Sequence, residues 1–180
     1  MKSLSVAFLG VVAGAMTSAP PKTYLVTGAT EGIGYETALQ LSRQGHRVLV
    51  HGRNRAKVDS VVRQLEGIND HQGFVADLSM MSDVRQLGKS VAEAWPALDG
   101  LLNNAGTFDG DYTGKRVVTA EGNEYTLAVN VLAPYLLTSI LLPSLKASGH
   151  GRCVISSSIS MGAADALSDL QLENGYTGHR

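Results

Sequence analysis

The chain predicts an α/β fold, a doubly wound parallel sheet, and three observations carry that prediction. Short apolar runs of strand length alternate with stretches whose apolar residues recur at helical spacing, an order that demands crossover connections and therefore parallel strands. The first run, Tyr24-Leu25-Val26, leads straight into Thr27-Gly28-Ala29-Thr30-Glu31-Gly32-Ile33-Gly34, whose glycines are spaced to let a dinucleotide's phosphates touch the backbone. At 180 residues, 44% hydrophobic and 17% charged, the chain has the size and composition of one globular core. About five strands are expected, a sheet incomplete on its C-terminal side.

Each element follows from local chemistry. Leu25 and Val26 suit a buried strand; Gly28 permits the tight turn, Gly32 close approach to a pyrophosphate, and Gly34 close packing of the next helix, Gly34 to Arg43. His46 to His51, rich in valine, reads as the second strand. Val58, Val61, Val62 and Leu65 then mark one face of a helix. A third strand, Gly73 to Ala76, precedes a helix burying Val84, Leu87, Val91 and Trp95, which Pro96 stops. Strand four is Gly100 to Asn103 and strand five Arg152 to Ser156. Between them a long helix from about Gly122 to Ala147 is apolar over most of its circumference, so it is expected to be covered on both sides and bent at Pro134 and Pro143. The polar, glycine-rich stretch Thr107 to Arg116 reads as a mobile loop.

Composition excludes several functions. A net charge of −1, with 15 basic and 16 acidic residues scattered singly, provides neither a basic stripe for nucleic acid nor a polybasic membrane patch. The five histidines show no ligand spacing, so no metal site is expected. The single cysteine, Cys153, lies in a strand-like apolar run and reads as a buried, inert thiol. Met1-Lys2-Ser3 followed by the 13 apolar residues Leu4 to Met16 reads as a signal or targeting segment, with residues 1–19 outside the fold; the competing reading is an apolar extension packed on the domain. The run is shorter than the roughly 20 residues of a membrane-spanning helix, so no permanent span is expected from it. Residues 22–180 form the domain. Secretory pathway or organelle follows if the segment is a signal, cytoplasm if it is not.

Three more segments accompany the glycine loop: Asn103-Asn104-Ala105-Gly106 after a strand, Asn130 within Leu127-Ala128-Val129-Asn130-Val131, and Ser156 to Ser158 ending strand five. In this order and spacing the chain resembles the short-chain dehydrogenase/reductase family over Lys22 to about Ser160. Thr119 to Ser148 and Asp169 to Arg180 look like its retinol-dehydrogenase-like and protochlorophyllide-reductase-like branch. The resemblance implies a Rossmann-type fold, a nicotinamide cofactor and an alcohol–carbonyl interconversion on a lipophilic small molecule.

It also implies roles. Thr27, Gly28, Thr30, Glu31, Gly32, Ile33 and Gly34 would bind the cofactor, with Arg53, Asn54, Asp77, Leu78, Asn104, Ala105 and Gly106; Asp77 would contact the adenine. At the end of strand two, NAD enzymes place a carboxylate for the ribose hydroxyls, whereas a 2′-phosphate needs positive charge. Here Gly52 stands at that position and Arg53 follows, which favours NADP(H); a solvated surface charge is the plainer reading of Arg53. Glu31 opposes that preference if it faces inward. In the family a tyrosine exchanges a proton with the substrate oxygen, a lysine lowers its pKa, a serine hydrogen-bonds that oxygen and an asparagine orders a relay water. Ser158 and Asn130 fit the last two roles as catalytic residues. The tyrosine and lysine are missing, because no Tyr-x-x-x-Lys occurs in the 180 residues and Tyr176 is followed four positions later by Arg180. A chain stopping short of that motif is expected to be catalytically silent, and to expose apolar helix and strand-edge surface that drives homodimerisation or aggregation. A non-catalytic NADP(H)-binding or interaction protein, or an inactive fragment, is the alternative class.

Overall fold

The computed structural model describes residues 20–67, 70–108, 115–158, 168–174 and 176. The expected targeting segment, residues 1–19, lies outside them, as do residues 109–114 of the expected mobile loop and Arg180.

The strands are β1 (Thr23–Val26), β2 (Arg47–Gly52), β3 (Gln72–Val75), β4 (Gly100–Asn103) and β5 (Arg152–Ile155). They form one sheet in the order β3-β2-β1-β4-β5 with every pairing parallel. Helices α1 (Gly32–Arg43), α2 (Arg55–Gln64), α3 (Met81–Ala94), α4 (Tyr125–Leu127) and α5 (Ala133–Ala147) make the connections, with a π-helical turn at Ala128–Leu132 joining α4 to α5. The doubly wound arrangement is as expected. Register explains the two cores. Leu25 pairs with Leu49 and with Leu101, and all three point to the face covered by α3 and α5 through Val84, Leu87, Leu137 and Leu141. One residue on, Val26 and Val50 point to the opposite face, where Val58 and Val61 of α2 and Ala38 of α1 cover them. Trp95 closes the first core: its indole N–H donates to Gln72 at 2.9 Å and the Arg47 guanidinium lies 4.3 Å from its ring.

Several boundaries and burials differ from expectation. Helix α1 begins at Gly32, two residues earlier than the glycine pattern suggested. The long helix starts at Tyr125, and its irregularity precedes Pro134: Ala133 N–H donates to Ala128 O, five residues back, while Pro143 sits inside α5 without ending it. Among the described residues the helix is not covered on both sides. Its Leu137 and Leu141 are buried, but Tyr135 is 75% exposed and Val131 54%. Cys153 is likewise exposed rather than buried, because β5 pairs only with β4 and no layer covers its outer face among the described residues. The run Tyr125–Ala147 is long and apolar enough to cross a membrane by length and composition; it buries Leu137, Leu141 and Leu145 in the core shared with α3 and the sheet and leaves Val131, Tyr135 and Leu142 exposed.

Candidate functional site

At the C-terminal ends of β1, β2, β3 and β4 the chain leaves a cleft of about 440 Å³. This is where a parallel sheet switches winding direction and opens a crevice.

The glycine loop and the Asn103-Asn104-Ala105-Gly106 turn build its floor together. Thr27 is buried beneath them; its Oγ1 accepts from the N–H groups of Asn104 (2.9 Å) and Ala105 (3.1 Å) and donates to Leu102 O (3.2 Å). The Asn104 amide returns the bond by donating to Thr27 O at 3.0 Å. Asn103 is buried and points elsewhere, donating to Thr138 of α5 at 3.0 Å. Gly28 has φ +64 and lies so close to the turn that a Cβ there would meet Ala105 Cα at 2.9 Å. A Cβ on Gly34 would strike Gly28 O at 2.4 Å and Asn104 Nδ2 at 2.5 Å. Gly34→Ala is therefore expected to cost about 1–3 kcal/mol of overpacking, lowering Tm by roughly 2–12 °C. A thermal melt followed by circular dichroism checks it; a variant that melts with the parent would contradict this packing.

The other expected residues divide by position. Gly28, Thr30, Glu31 and Ile33 line the cleft from the loop, Arg53 and Asn54 from the end of β2, Asp77 and Leu78 from the end of β3, and Asn104, Ala105 and Gly106 from the turn. Thr27, Gly32 and Gly34 do not line it; they shape the loop from below and from its rim. Asp77 Oδ1 accepts Ser79 N–H at 2.9 Å, which steadies the carboxylate at the cleft edge. Asn130, in the π-helical turn, is outside the cleft lining. Its side-chain oxygen accepts Thr107 N–H at 2.9 Å and its amide donates to Thr107 O at 3.0 Å, so it anchors the segment after the turn. Ser158 is exposed beyond β5 and is not brought to the cleft wall.

The structure adds residues the sequence did not disclose. Tyr125 lines the cleft and accepts a 3.0 Å hydrogen bond from Arg53 through its hydroxyl. Lys57, in the first turn of α2, also lines it and forms an ion pair with Glu31. That partner, first by hydrogen bonding and then by charge, holds the Glu31 carboxyl below its usual range, with Arg53 adding to the effect. The one available signal for Lys57 was Asn54-x-x-Lys57, a helix cap with its partner: Asn54 Oδ1 accepts Lys57 N–H at 3.1 Å. His51 lies at the cleft's base. Its Nδ1 accepts Gly28 N–H at 3.4 Å and its Nε2 bonds Ala76 O at 3.2 Å, which requires the neutral ring protonated on Nε2. Burial pushes its pKa down to about 4.

The arrangement suits an anionic dinucleotide. Helix α1 starts at the cleft with no side-chain cap from Glu31 and no acidic residue in its first turn, so its first amides are available to an anion. Gly32, at φ +56, has open space where a Cβ would lie. Among the described residues no group of three metal-ligating side chains occurs.

The family model for short chain dehydrogenase matches residues 22–166. The chain belongs to the short-chain dehydrogenase family. It is 34% identical to human retinol dehydrogenase 13 over 144 residues, covering 78% of this chain and 42% of that protein. Human polyprenol dehydrogenase is 35% identical over 168 residues, covering 89% and 50%. Among solved structures, a metagenomic short-chain oxidoreductase in complex with NADP superposes with a TM-score of 0.64 at 28% identity, covering 79% of this chain and 65% of that one. The chain spans about half the length of the curated relatives named here. The relatives fall on the retinol-dehydrogenase side of the branch the sequence resembles.

Proposed function

We propose that residues 22–180 form the NADP(H)-binding domain of an oxidoreductase that interconverts an alcohol and a carbonyl on a lipophilic small molecule. The observation that carries the cofactor choice is the end of β2. Gly52 offers no carboxylate for ribose hydroxyls, and a Cβ there would meet Thr30 Cγ2 at 2.6 Å, so a larger residue would require the Thr30 side chain to shift. Arg53 beside it lines the cleft, its guanidinium donating to the Tyr125 hydroxyl at 3.0 Å. The related structure in complex with NADP supports this reading, and the names of the retinol and polyprenol relatives support a lipophilic substrate.

The glycine loop and the amides of α1 would hold the pyrophosphate, Arg53 the 2′-phosphate, and Asp77 with Leu78 the adenine end. The cofactor supplies hydride exchange with the substrate carbon when bound. Asn130 fixes Thr107 and so the wall following Gly106, and Ser158 is proposed to donate a hydrogen bond to the substrate oxygen. The 180 residues contain no Tyr-x-x-x-Lys, which favours a second reading, a chain that binds NADP(H) without turnover.

Calorimetric titration with NADPH and NADH tests the cofactor assignment. A charge-assisted contact contributes about 1.5–3 kcal/mol, so Arg53→Ala is expected to weaken NADPH by roughly 10- to 150-fold and leave NADH nearly unchanged. Equal binding of the two cofactors by the parent would sink the assignment.

A further inference from the structure

We propose that Gln171 is a positioning residue: it latches the segment 168–174, which follows β5, to the start of α4 and thereby sets Tyr125 in the wall of the cofactor cleft. The inference rests on the cofactor reading above. Three hydrogen bonds make the latch. The Glu124 N–H donates to Gln171 Oε1 at 2.7 Å, the Gln171 amide donates to Asn123 Oδ1 at 3.3 Å, and Arg116 Nε donates to Gln171 O at 2.7 Å. Tyr125 follows the latch directly. Its own N–H donates to Val117 O at 2.9 Å, and Val118 and Glu124 form an isolated bridge, so the backbone leading into α4 is held from both sides. Glu124 is buried and caps α4 by accepting Leu127 N–H at 2.6 Å. From that fixed start the Tyr125 ring packs against the core, and its hydroxyl meets Arg53 from the end of β2.

The other side of the latch is strained. Leu172, the residue after Gln171, has φ +49, in the left-handed region that a residue with a Cβ rarely adopts. Asp169 holds it there: its carboxylate oxygens accept the Glu173 and Asn174 N–H groups at 3.0 and 2.9 Å, and its carbonyl accepts Leu172 N–H at 3.0 Å. Such strain persists where surrounding contacts over-determine it. Here the over-determined turn presents Gln171 to α4, and the amide suits the position, with an acceptor for Glu124 N–H and a donor for Asn123 Oδ1. A turn that only reversed the chain would be served better by glycine at 172 and would need no side chain aimed at a helix start. The α4 wall of the cleft is thus ordered from the segment beyond β5, far from the glycine loop.

The test titrates NADPH and NADH into the 180-residue chain and its variants by calorimetry, with thermal melts to show that each variant is folded. Gln171→Met keeps the length of the side chain and removes both of its polar groups. It is expected to weaken NADPH and NADH alike, by roughly 3- to 10-fold, the range of the neutral hydrogen bonds lost. Asp169→Ala frees the turn without touching α4 and should reproduce that loss; it carries the test if Gln171→Met melts below the titration temperature. Tyr125→Ala should also weaken both cofactors, and adding Gln171→Met to it should cost less than about 2-fold more, because the amide acts through the ring. A parent that binds NADPH and ignores Gln171→Met, or a loss that is undiminished on the Tyr125→Ala background, overturns this inference and leaves the cofactor reading standing. A parent that binds neither cofactor overturns both.

Discussion

The purified 180-residue chain is expected to bind NADPH and to leave lipophilic aldehydes and ketones unreduced. General acid–base catalysis contributes roughly 10²- to 10⁴-fold, about 3–5 kcal/mol, and in this family it depends on a tyrosine and a lysine that no Tyr-x-x-x-Lys of this sequence supplies. The remaining candidates do not replace them. The Asn130 amide is committed in both directions to Thr107, and Ser158, exposed after β5, is not among the residues that line the cleft. Tyr176 is half-buried and precedes Arg180, whose guanidinium stays protonated but differs in shape and hydration from an ammonium. The measurement is NADPH consumption with a panel of such carbonyls, run beside calorimetry that shows the cofactor is bound. Turnover that disappears in Tyr176→Phe would overturn this expectation and make Tyr176 the acid/base.

Acid should destabilise the fold through His51. Burial lowers its pKa from the ordinary 6.5 to about 4, with the bond to Ala76 O and the charge of Asp77 opposing that shift. The unfolded chain therefore binds a proton between those values that the folded chain refuses. The sign follows: this contribution is fully present above pH 6.5, is lost as pH falls toward 4, and amounts to about 3 kcal/mol. Protonation also removes the acceptor that Nδ1 offers to Gly28 N–H, so the glycine loop loses a tie at its first turn. His51→Gln can keep a donor for Ala76 O and an acceptor for Gly28 N–H without titrating. Urea unfolding at pH 7.5 and 4.5 should show the parent losing much more stability than this variant. Parallel losses would mean that carboxylates, not His51, set the acid limb.

The glycine loop, the order of strands and helices and the Asn103–Gly106 turn were legible because their constraints are local. A left-handed φ at Gly28 and Gly32, a missing Cβ at Gly34 and the short apolar runs of β1 and β2 are properties of a few consecutive residues. Arg53 was legible for the same reason, as the residue following a strand end. The coverage of each element was not. Cys153 and the outer face of α5 read as buried because apolar content records what a segment can bury, not whether another layer exists to bury it.

By itself, then, the sequence determined a parallel α/β domain with a glycine-rich loop after its first strand and a cation at the end of its second. Only the tertiary structure decided what that cation and its neighbours meet. Tyr125 reaches Arg53 across 72 positions, Lys57 reaches Glu31 across 26, and His51 bonds Gly28 and Ala76 from the strand between them. No periodicity or motif encodes such pairs, because they arise where parallel strands bring distant chain segments to one edge of the sheet, and distance in space there is set by strand order rather than by sequence.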